Sequence, residues 1–198
     1  MKKIFFILVP LAFVFFIAAG GAEKQQAKPF AWSMALHNTR TDESLPFSAP
    51  VKSRTGEKFR LIINPAAECY FYIIAESPNG EDAAIIQAGP LKGGEEWLSP
   101  VFELSPPKGS ESFYVVASRT EKAELARSIA AFKSNPGSAQ RRTMMNELFR
   151  LRSEVSQFKE TPEKPVLMGG AARGSPGKSE GVQFSGLETY VKTISIEH

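Results

Sequence analysis

The sequence predicts a mainly β protein: an antiparallel β-sandwich-like domain with an α-helical hairpin inserted before its last strand. Apolar and polar residues alternate in several short runs, and Pro, Asn and Gly cluster between these runs. The spacing becomes helical only between about residues 120 and 160. With 42% hydrophobic and 23% charged residues, the composition is that of a globular protein and not of a disordered chain.

The N-terminal region predicts export. Two lysines precede an uncharged run from Ile4 to Gly21, which ends in small residues that suit cleavage. This pattern is typical of a secretory signal peptide, predicted for residues 1–22, with a polar leader at 23–29. The apolar part is short for a spanning helix, which needs about 20 residues. We therefore expect a periplasmic or secreted protein, with an uncleaved inner-membrane anchor as the alternative.

Net charge and cysteine content bear on the kind of partner that the protein binds and on how its fold is stabilised. The chain has 24 basic and 21 acidic residues, a net charge of +3, and loss of Lys2 and Lys3 would leave +1. A charge so close to zero does not indicate a nucleic-acid partner. A single cysteine, Cys69, excludes an intramolecular disulfide, so an exported domain of this kind depends on its core for stability.

Residues 30–198 are predicted to form a single β-rich domain. Alternating runs bounded by turn residues are typical of strands in a sandwich or barrel. The predicted strands are, in order, Trp32–His37, Phe59–Ile63, Cys69–Ala75, Ala83–Gln87, Glu96–Leu98, Val101–Leu104, Phe113–Ser118 and Thr189–Ile196.

Two helices are predicted in the insertion at about 120–160. The first runs from Thr120, which can cap its start, to Ser134. The second runs from Ser138 to about Lys159 and carries one apolar stripe. The stripe consists of Met144, Leu148, Leu151, Val155 and Phe158. A Pro- and Gly-rich flexible loop at about 161–181 then leads to the last strand.

The helical insertion is the region most suggestive of binding. From Arg119 to Lys159 there are nine basic and four acidic residues. Three interpretations stay open: the stripe packs on the sheet beneath solvated arginines, the second helix binds a partner protein, or it contacts anionic lipid or polymer. The candidate partner-binding surface consists of Arg141, Arg142, Met145, Phe149 and Arg152.

One string resembles a nucleotide-binding loop. Ala172 to Ser179 fits the looser phosphate-loop pattern, Ala-x-x-x-x-Gly-Lys-Ser. Such a loop works only where a helix follows it, because the helix N-terminus faces the phosphates. Gly181 and Gly186 and an alternating pattern follow here, so no helix is predicted and we expect no nucleotide partner.

No catalytic, cofactor or metal site is predicted. Cys69 shares a strand face with Phe71 and Ile73, which favours a buried hydrophobe over a nucleophile or an intermolecular disulfide. The two histidines, His37 and His198, lie in different regions, and the spacing of acidic residues is not that of a zinc or calcium site.

Several segments, in order, resemble the bacterial domain of unknown function 4384. The match covers about Ser53 to Glu124 and extends to the terminal strand. It rests on Thr55–Leu61 (TGEKFRL), Cys69–Ile74 (CYFYII), Pro78–Gly80 (PNG), Leu98–Pro100 (LSP), Phe102–Leu104 (FEL) and Lys108–Ser118 (KGSESFYVVAS). The resemblance implies a compact β-rich module of exported or multidomain bacterial proteins, sometimes beside peptidase-like or kinase-like domains, and supplies no catalytic residue.

These observations predict a non-catalytic exported domain of the cell envelope, acting as a protein-interaction or structural module. The partner would be an envelope protein. The alternative is an envelope enzyme of hydrolase type, which a pocket joining His37 or His198 to a carboxylate would favour. If the N-terminal segment is retained, the protein would instead be an anchored structural protein.

Overall fold

The computed structural model describes residues 30–155, 164–168, 179–186 and 188–198. The predicted signal peptide and polar leader lie outside these residues. The described part of the chain contains twelve strands and two helices. In chain order they are β1 (Phe30–Asn38), β2 (Glu43–Leu45), β3 (Val51–Lys52), β4 (Lys58–Pro65), β5 (Cys69–Glu76), β6 (Ala83–Leu91), β7 (Trp97–Leu98), β8 (Phe102–Glu103), β9 (Ser110–Ser118), α1 (Ala123–Ser134), α2 (Ser138–Val155), β10 (Lys164–Met168), β11 (Ser179–Gly186) and β12 (Thr189–Glu197).

The strands form two sheets. Sheet A has the order β10-β11-β1-β4-β7, with β2 also paired to β1 and β8 to β4. Sheet B has the order β3-β12-β9-β5-β6. The described pairs are antiparallel apart from β12 with β3, which is parallel. The prediction of a mainly β protein with antiparallel pairing and two helices is therefore confirmed.

Alternation along the strands sends one set of side chains into a shared core. In sheet A, Met34 of β1 lies opposite Ile63 of β4, and both are buried. The neighbouring pair, Ser33 and Asn64, faces the other way and is partly exposed. Successive side chains point to opposite faces of a strand. The position of a residue in the alternating sequence therefore decides whether its side chain faces the core or the outer face of sheet A.

The core contains residues of both sheets. Trp32 of β1 stacks on Phe184 of β11 at a centroid distance of 5.5 Å and meets the ring edge of Phe71, on β5, at 6.0 Å. All three are at most 2% exposed. Aromatic contacts of this kind add about 0.5–1.5 kcal/mol each to the burial of the rings.

Gly186 shows why a glycine ends β11. A Cβ atom at this position would lie 3.1 Å from Cε1 of Phe30, the residue opposite it on β1. The missing side chain leaves room for the Phe30 ring, which stacks on Trp32 at 5.0 Å. The glycine therefore serves close packing within a strand, although its residue type alone suggests a turn.

The helices cover the outer face of sheet B. Tyr72 and Ile74 of β5 and Tyr114 and Val116 of β9 point away from the shared core. Each is buried against α1 and α2. The helical residues in this layer are Leu125, Ile129, Met144, Met145, Leu148 and Leu151. The interpretation that the apolar stripe of α2 packs on the sheet is confirmed for Met144, Leu148 and Leu151, whereas Val155 is only partly buried and lies outside this layer.

Several predicted details of the helical region are wrong. Three strands follow the helices, where one was predicted, and β10 and the start of β11 occupy part of the expected loop at 161–181. Thr120 does not cap α1, because the N-cap is Lys122, whose backbone N–H donates to the Tyr72 hydroxyl at 3.0 Å. Helix α2 is described from Ser138 to Val155, and its predicted continuation to Lys159, with Phe158, lies outside the described residues.

Candidate functional site

Helix α2 is held against sheet B by Arg141. The guanidinium of Arg141 donates a hydrogen bond to the backbone carbonyl of Gly80 and lies 3.8 Å from Oε1 of Glu76. The other carboxylate oxygen of Glu76 accepts a hydrogen bond of 2.9 Å from the Tyr114 hydroxyl. Burial and this contact with Glu76 raise the pKa of Tyr114. Arg141 is therefore a structural tether, and only 23% of its side chain is exposed.

Two of the five predicted surface residues are thus not free to bind a partner. Arg141 is held by the turn after β5, and Met145 lies in the layer beneath the helices with 5% exposure. Met145 precedes the buried Leu148 by three residues, so it shares the inner side of the helix. Met145, predicted as part of the partner-binding surface, is buried and does not contribute to an exposed surface.

The other three predicted residues do form an exposed surface, which we term the α2 flank: Arg142, Phe149 and Arg152. Phe149 is 41% exposed, and its ring meets the Tyr114 ring edge-on at 5.6 Å. Arg142 and Arg152 are exposed and make no ion pair within the described residues. The charge of Arg152 acts on nearby Tyr114. It opposes the rise in the Tyr114 pKa that burial and Glu76 cause, but it does not reverse that rise.

The opposite side of α2 faces α1 across an open groove of about 530 Å³. Its charged residues pair with one another along each helix. Arg127 contacts Glu124 at 2.8 Å, and Arg150 contacts Glu147 and Glu154. The hydrogen bonds from Arg150 lower the pKa of Glu147. Among the described residues, the arginines that line the groove are therefore paired with carboxylates, whereas the two arginines of the α2 flank are not.

A smaller pocket of about 190 Å³ lies between α1 and the β5–β6 strands. Tyr70 and Tyr72 line it together with small residues of α1 and β6. Burial raises the pKa of Tyr72, whose hydroxyl is already engaged by the Lys122 backbone. The alternation on β5 places both tyrosines on the outer face of the sheet, but the pocket itself depends on where α1 docks, which the sequence pattern does not reveal.

Cys69 lies in the core between the sheets, as predicted. Its side chain is 1% exposed. Burial, with the charge of Glu68 as a smaller cause, raises the pKa of the thiol to about 11. The thiolate needed for nucleophilic attack is therefore scarce at neutral pH.

His198 meets a hydroxyl and a carboxylate. Its Nδ1 lies 3.1 Å from the Thr55 hydroxyl, and its Nε2 lies 3.5 Å from Oε1 of Glu111. The His198 side chain is fully buried, and burial raises the pKa of Glu111 against the opposing effect of His198. Sequence reasoning selected the histidine but not its two partners, because Thr55 and His198 are 143 positions apart.

The structure also bears on the nucleotide-loop match. Ser179 begins strand β11, which pairs with both β10 and β1. A strand therefore stands where a phosphate loop requires a helix. Residues 169–178 lie outside the described residues.

Within 30–155, 164–168, 179–186 and 188–198, no three His, Cys, Asp or Glu side chains come together as a metal site would require. Neither of the helices in these ranges combines the length and apolarity of a membrane-crossing helix.

Comparison with known proteins adds no relative. No family model matches the chain, and no match is found among curated proteins or among solved structures. The resemblance to the bacterial domain of unknown function 4384 stays a prediction.

Proposed function

We propose that this chain is an exported, non-catalytic domain of the bacterial cell envelope that binds another envelope protein through the α2 flank. In this proposal the two sheets form a β-sandwich, and α1 and α2 form a hairpin that docks on one of its faces. The N-terminal sequence pattern supports export. The resemblance to a family of exported β-rich modules points the same way.

The observation that carries the proposal is the composition of the α2 flank. It combines a 41% exposed phenylalanine with two exposed arginines that lack ion-pair partners in the described chain. Aromatic residues and arginine are enriched at protein interfaces, and clusters of them provide much of the binding energy. A matching partner would offer an apolar pocket for Phe149 and acidic groups around it.

The proposal is tested by affinity capture from native envelopes with Phe149→Ser and with the double variant Arg142→Glu/Arg152→Glu. Both changes lie outside the buried layer and should leave folding intact. We expect each to lower recovery of the specific partner about ten-fold or more, since interface anchors contribute about 2 kcal/mol or more. Val101→Ser is the matched control, because Val101 is 44% exposed on a different part of the molecule. Equal recovery with all variants would refute the role of the α2 flank.

Export is tested separately by mass spectrometry of the mature N-terminus. Cleavage after the small residues that end the apolar run would give a free periplasmic or secreted domain. An intact N-terminus in the membrane fraction would indicate the anchored structural protein instead.

The contact of His198 with Thr55 and Glu111 favours a second function, an envelope hydrolase. A histidine between a hydroxyl and a carboxylate can accept the hydroxyl proton while the carboxylate stabilises the imidazolium. Because the imidazole is fully buried and Thr55 lies in a short exposed turn, a purely structural contact is the competing interpretation, and activity measurements separate the two. Ester hydrolysis by the purified protein that Thr55→Val and Glu111→Gln both abolish would establish the hydrolase.

A further inference from the structure

A row of polar side chains crosses the outer face of sheet A. His37 of β1 lies directly opposite Ser44 of β2 on one side and Arg60 of β4 on the other. Directly opposite residues on antiparallel strands have Cβ atoms about 4.5–5.5 Å apart. The register therefore brings an imidazole, a hydroxyl and a guanidinium together on one face.

Each member of this row has a buried polar atom without a hydrogen-bond partner among the described residues. These atoms are Nδ1 of His37, Oγ of Ser44 and Nε of Arg60. Buried polar atoms are satisfied in the great majority of cases, because burial without a partner loses the hydrogen bonds that water would supply. Three such atoms in adjacent positions of one row are therefore unusual, and they indicate a place that a ligand completes.

Arg60 is the most informative of the three. It is partly buried, yet within the described residues its guanidinium has neither a carboxylate nor a carbonyl partner. The nearby carboxylates on the same face are already engaged: Asp42 lies 3.1 Å from Nε2 of His37, and Glu103 lies 3.4 Å from Lys58. The described part of the chain therefore places no ion-pair partner beside the positive charge of Arg60.

We propose that Arg60, His37 and Ser44 form a binding site for a phosphate group. A guanidinium offers two parallel donors to phosphate oxygens, and a hydroxyl and an imidazole supply further donors from neighbouring strands. A tetrahedral dianion accepts several such bonds at once. Because Nε2 donates its hydrogen to Asp42, Nδ1 donates to the ligand in the doubly protonated imidazolium, whose charge also favours a phosphate anion. This site is on the other sheet from the helices and is independent of the α2 flank.

The phosphate can be free or part of a lipid head group, and the two sources share the same chemistry at Arg60. Leu98, which is 45% exposed, and Ile62 lie opposite each other on the same face, two positions along β4 from Arg60. They form an apolar step beside the polar row. This apolar surface can contact the hydrocarbon part of a lipid phosphate, and it leaves the polar row open to the free ion. The experiment therefore includes both ligands.

The test is a titration of the full chain with inorganic phosphate at low ionic strength, followed by the ³¹P line width and the His37 ring resonances. We expect saturable binding that Arg60→Gln and Ser44→Ala each weaken, the former by about ten-fold or more because a bidentate charged contact is lost. The matched control is Arg142→Gln, which removes an equally unpaired arginine from the α2 flank and should change the affinity less than two-fold. Equal weakening by Arg60→Gln and Arg142→Gln, or no saturation, would overturn the proposal.

Vesicles distinguish the sources. Binding to phosphatidylglycerol vesicles, but not to phosphatidylcholine vesicles, that Arg60→Gln abolishes would assign the site to a lipid phosphate. Saturable binding of inorganic phosphate without Arg60-dependent vesicle binding would assign it to the free ion. Circular dichroism of each variant separates a lost site from a lost fold, and Ser44→Ala provides a second variant that leaves all charges in place.

Discussion

The outer faces of the two sheets differ although their strands follow the same alternation. On sheet B the outward residues are large and apolar, including Tyr72 and Ile74, and two helices bury them. On sheet A the outward residues include Ser33, His37 and Arg60, and no described helix packs there. The inward residues of both sheets share one core. The chemistry of the outward positions therefore decides which face is covered and which is left open to a ligand.

This comparison also explains the division of roles along α2. One side of the helix buries the apolar outer face of sheet B. A second side faces the groove beside α1, where its charged residues form ion pairs. Of the described sides of α2, the α2 flank is the one that has an exposed aromatic ring and arginines without an ion-pair partner among the described residues. The covering layer thus creates the proposed protein-binding surface, whereas the uncovered sheet A carries the proposed phosphate site.

The largest expected effect comes from truncating the covering layer. Leu148→Ala removes a fully buried side chain beneath the helices and should lower the free energy of unfolding by about 2–5 kcal/mol, through lost burial and a cavity. Ser33→Ala, on the outer face of sheet A, should change it by less than about 0.5 kcal/mol. Urea unfolding measures both. Similar losses in the two variants would mean that the two faces do not differ in this way.

The two partly buried arginines should respond in different ways. Arg141→Gln removes the tether of α2 to Gly80 and Glu76 and should cost about 1–3 kcal/mol, because a charge-assisted contact is lost and its partners are left behind. Arg60→Gln should be close to neutral without phosphate, since the wild-type guanidinium has no described partner to lose. Thermal unfolding of both variants and the wild type in phosphate-free buffer measures the two losses of stability. A larger loss for Arg60→Gln would contradict the proposed difference.

The smallest expected effect concerns pH. Hydrogen bonds from the Ser53 hydroxyl and then from Arg40 lower the pKa of Glu57 from its ordinary 4.5. A lowered pKa of the folded state stabilises the protein above about 4.5, and this contribution is lost as the pH falls through the lowered value. Glu57→Gln should therefore be less stable than wild type at neutral pH, with the difference shrinking in acid.

Glu147 is the control for that measurement. Its pKa is also lowered, but by Arg150 three residues away on the same helix. A local pair of this kind forms in any helical segment, so Glu147→Gln should change the pH dependence less than Glu57→Gln, whose partner Arg40 is 17 positions away. A larger effect of Glu147→Gln in chemical unfolding from pH 3 to 7 would contradict this reasoning.

The elements with a strong local pattern could be predicted from the sequence. Alternation revealed β1, β4, β5, β9 and β12, and helical spacing revealed α1 and α2. The short strands β2 and β3, of three and two residues, were missed because so few residues show no alternation. The pair β10–β11 was missed because the Pro and Gly residues in and around it suggested a loop. Gly181 and Gly186 suggest a loop, and only the pairing of β11 with β1 shows that Gly186 makes space for Phe30.

The candidate sites were predictable only in part. The helical pattern placed Arg142, Phe149 and Arg152 on the surface, but it could not show that the turn at Gly80 captures Arg141. The row formed by His37, Ser44 and Arg60 has no local signature, because its members come from three strands whose register is known only after folding. Sites assembled across a sheet are therefore the part that sequence patterns miss.

Site-specific photo-crosslinking in native envelopes tests the central claim, that the α2 flank is the protein-binding surface, most directly. A photoreactive residue would replace Phe149 in one variant and Leu98, which is similarly exposed on sheet A, in another. The account predicts a discrete protein adduct from position 149, lost on charge reversal at Arg142 and Arg152, and none from position 98. Adducts of equal yield from both positions, or none from position 149, would contradict it.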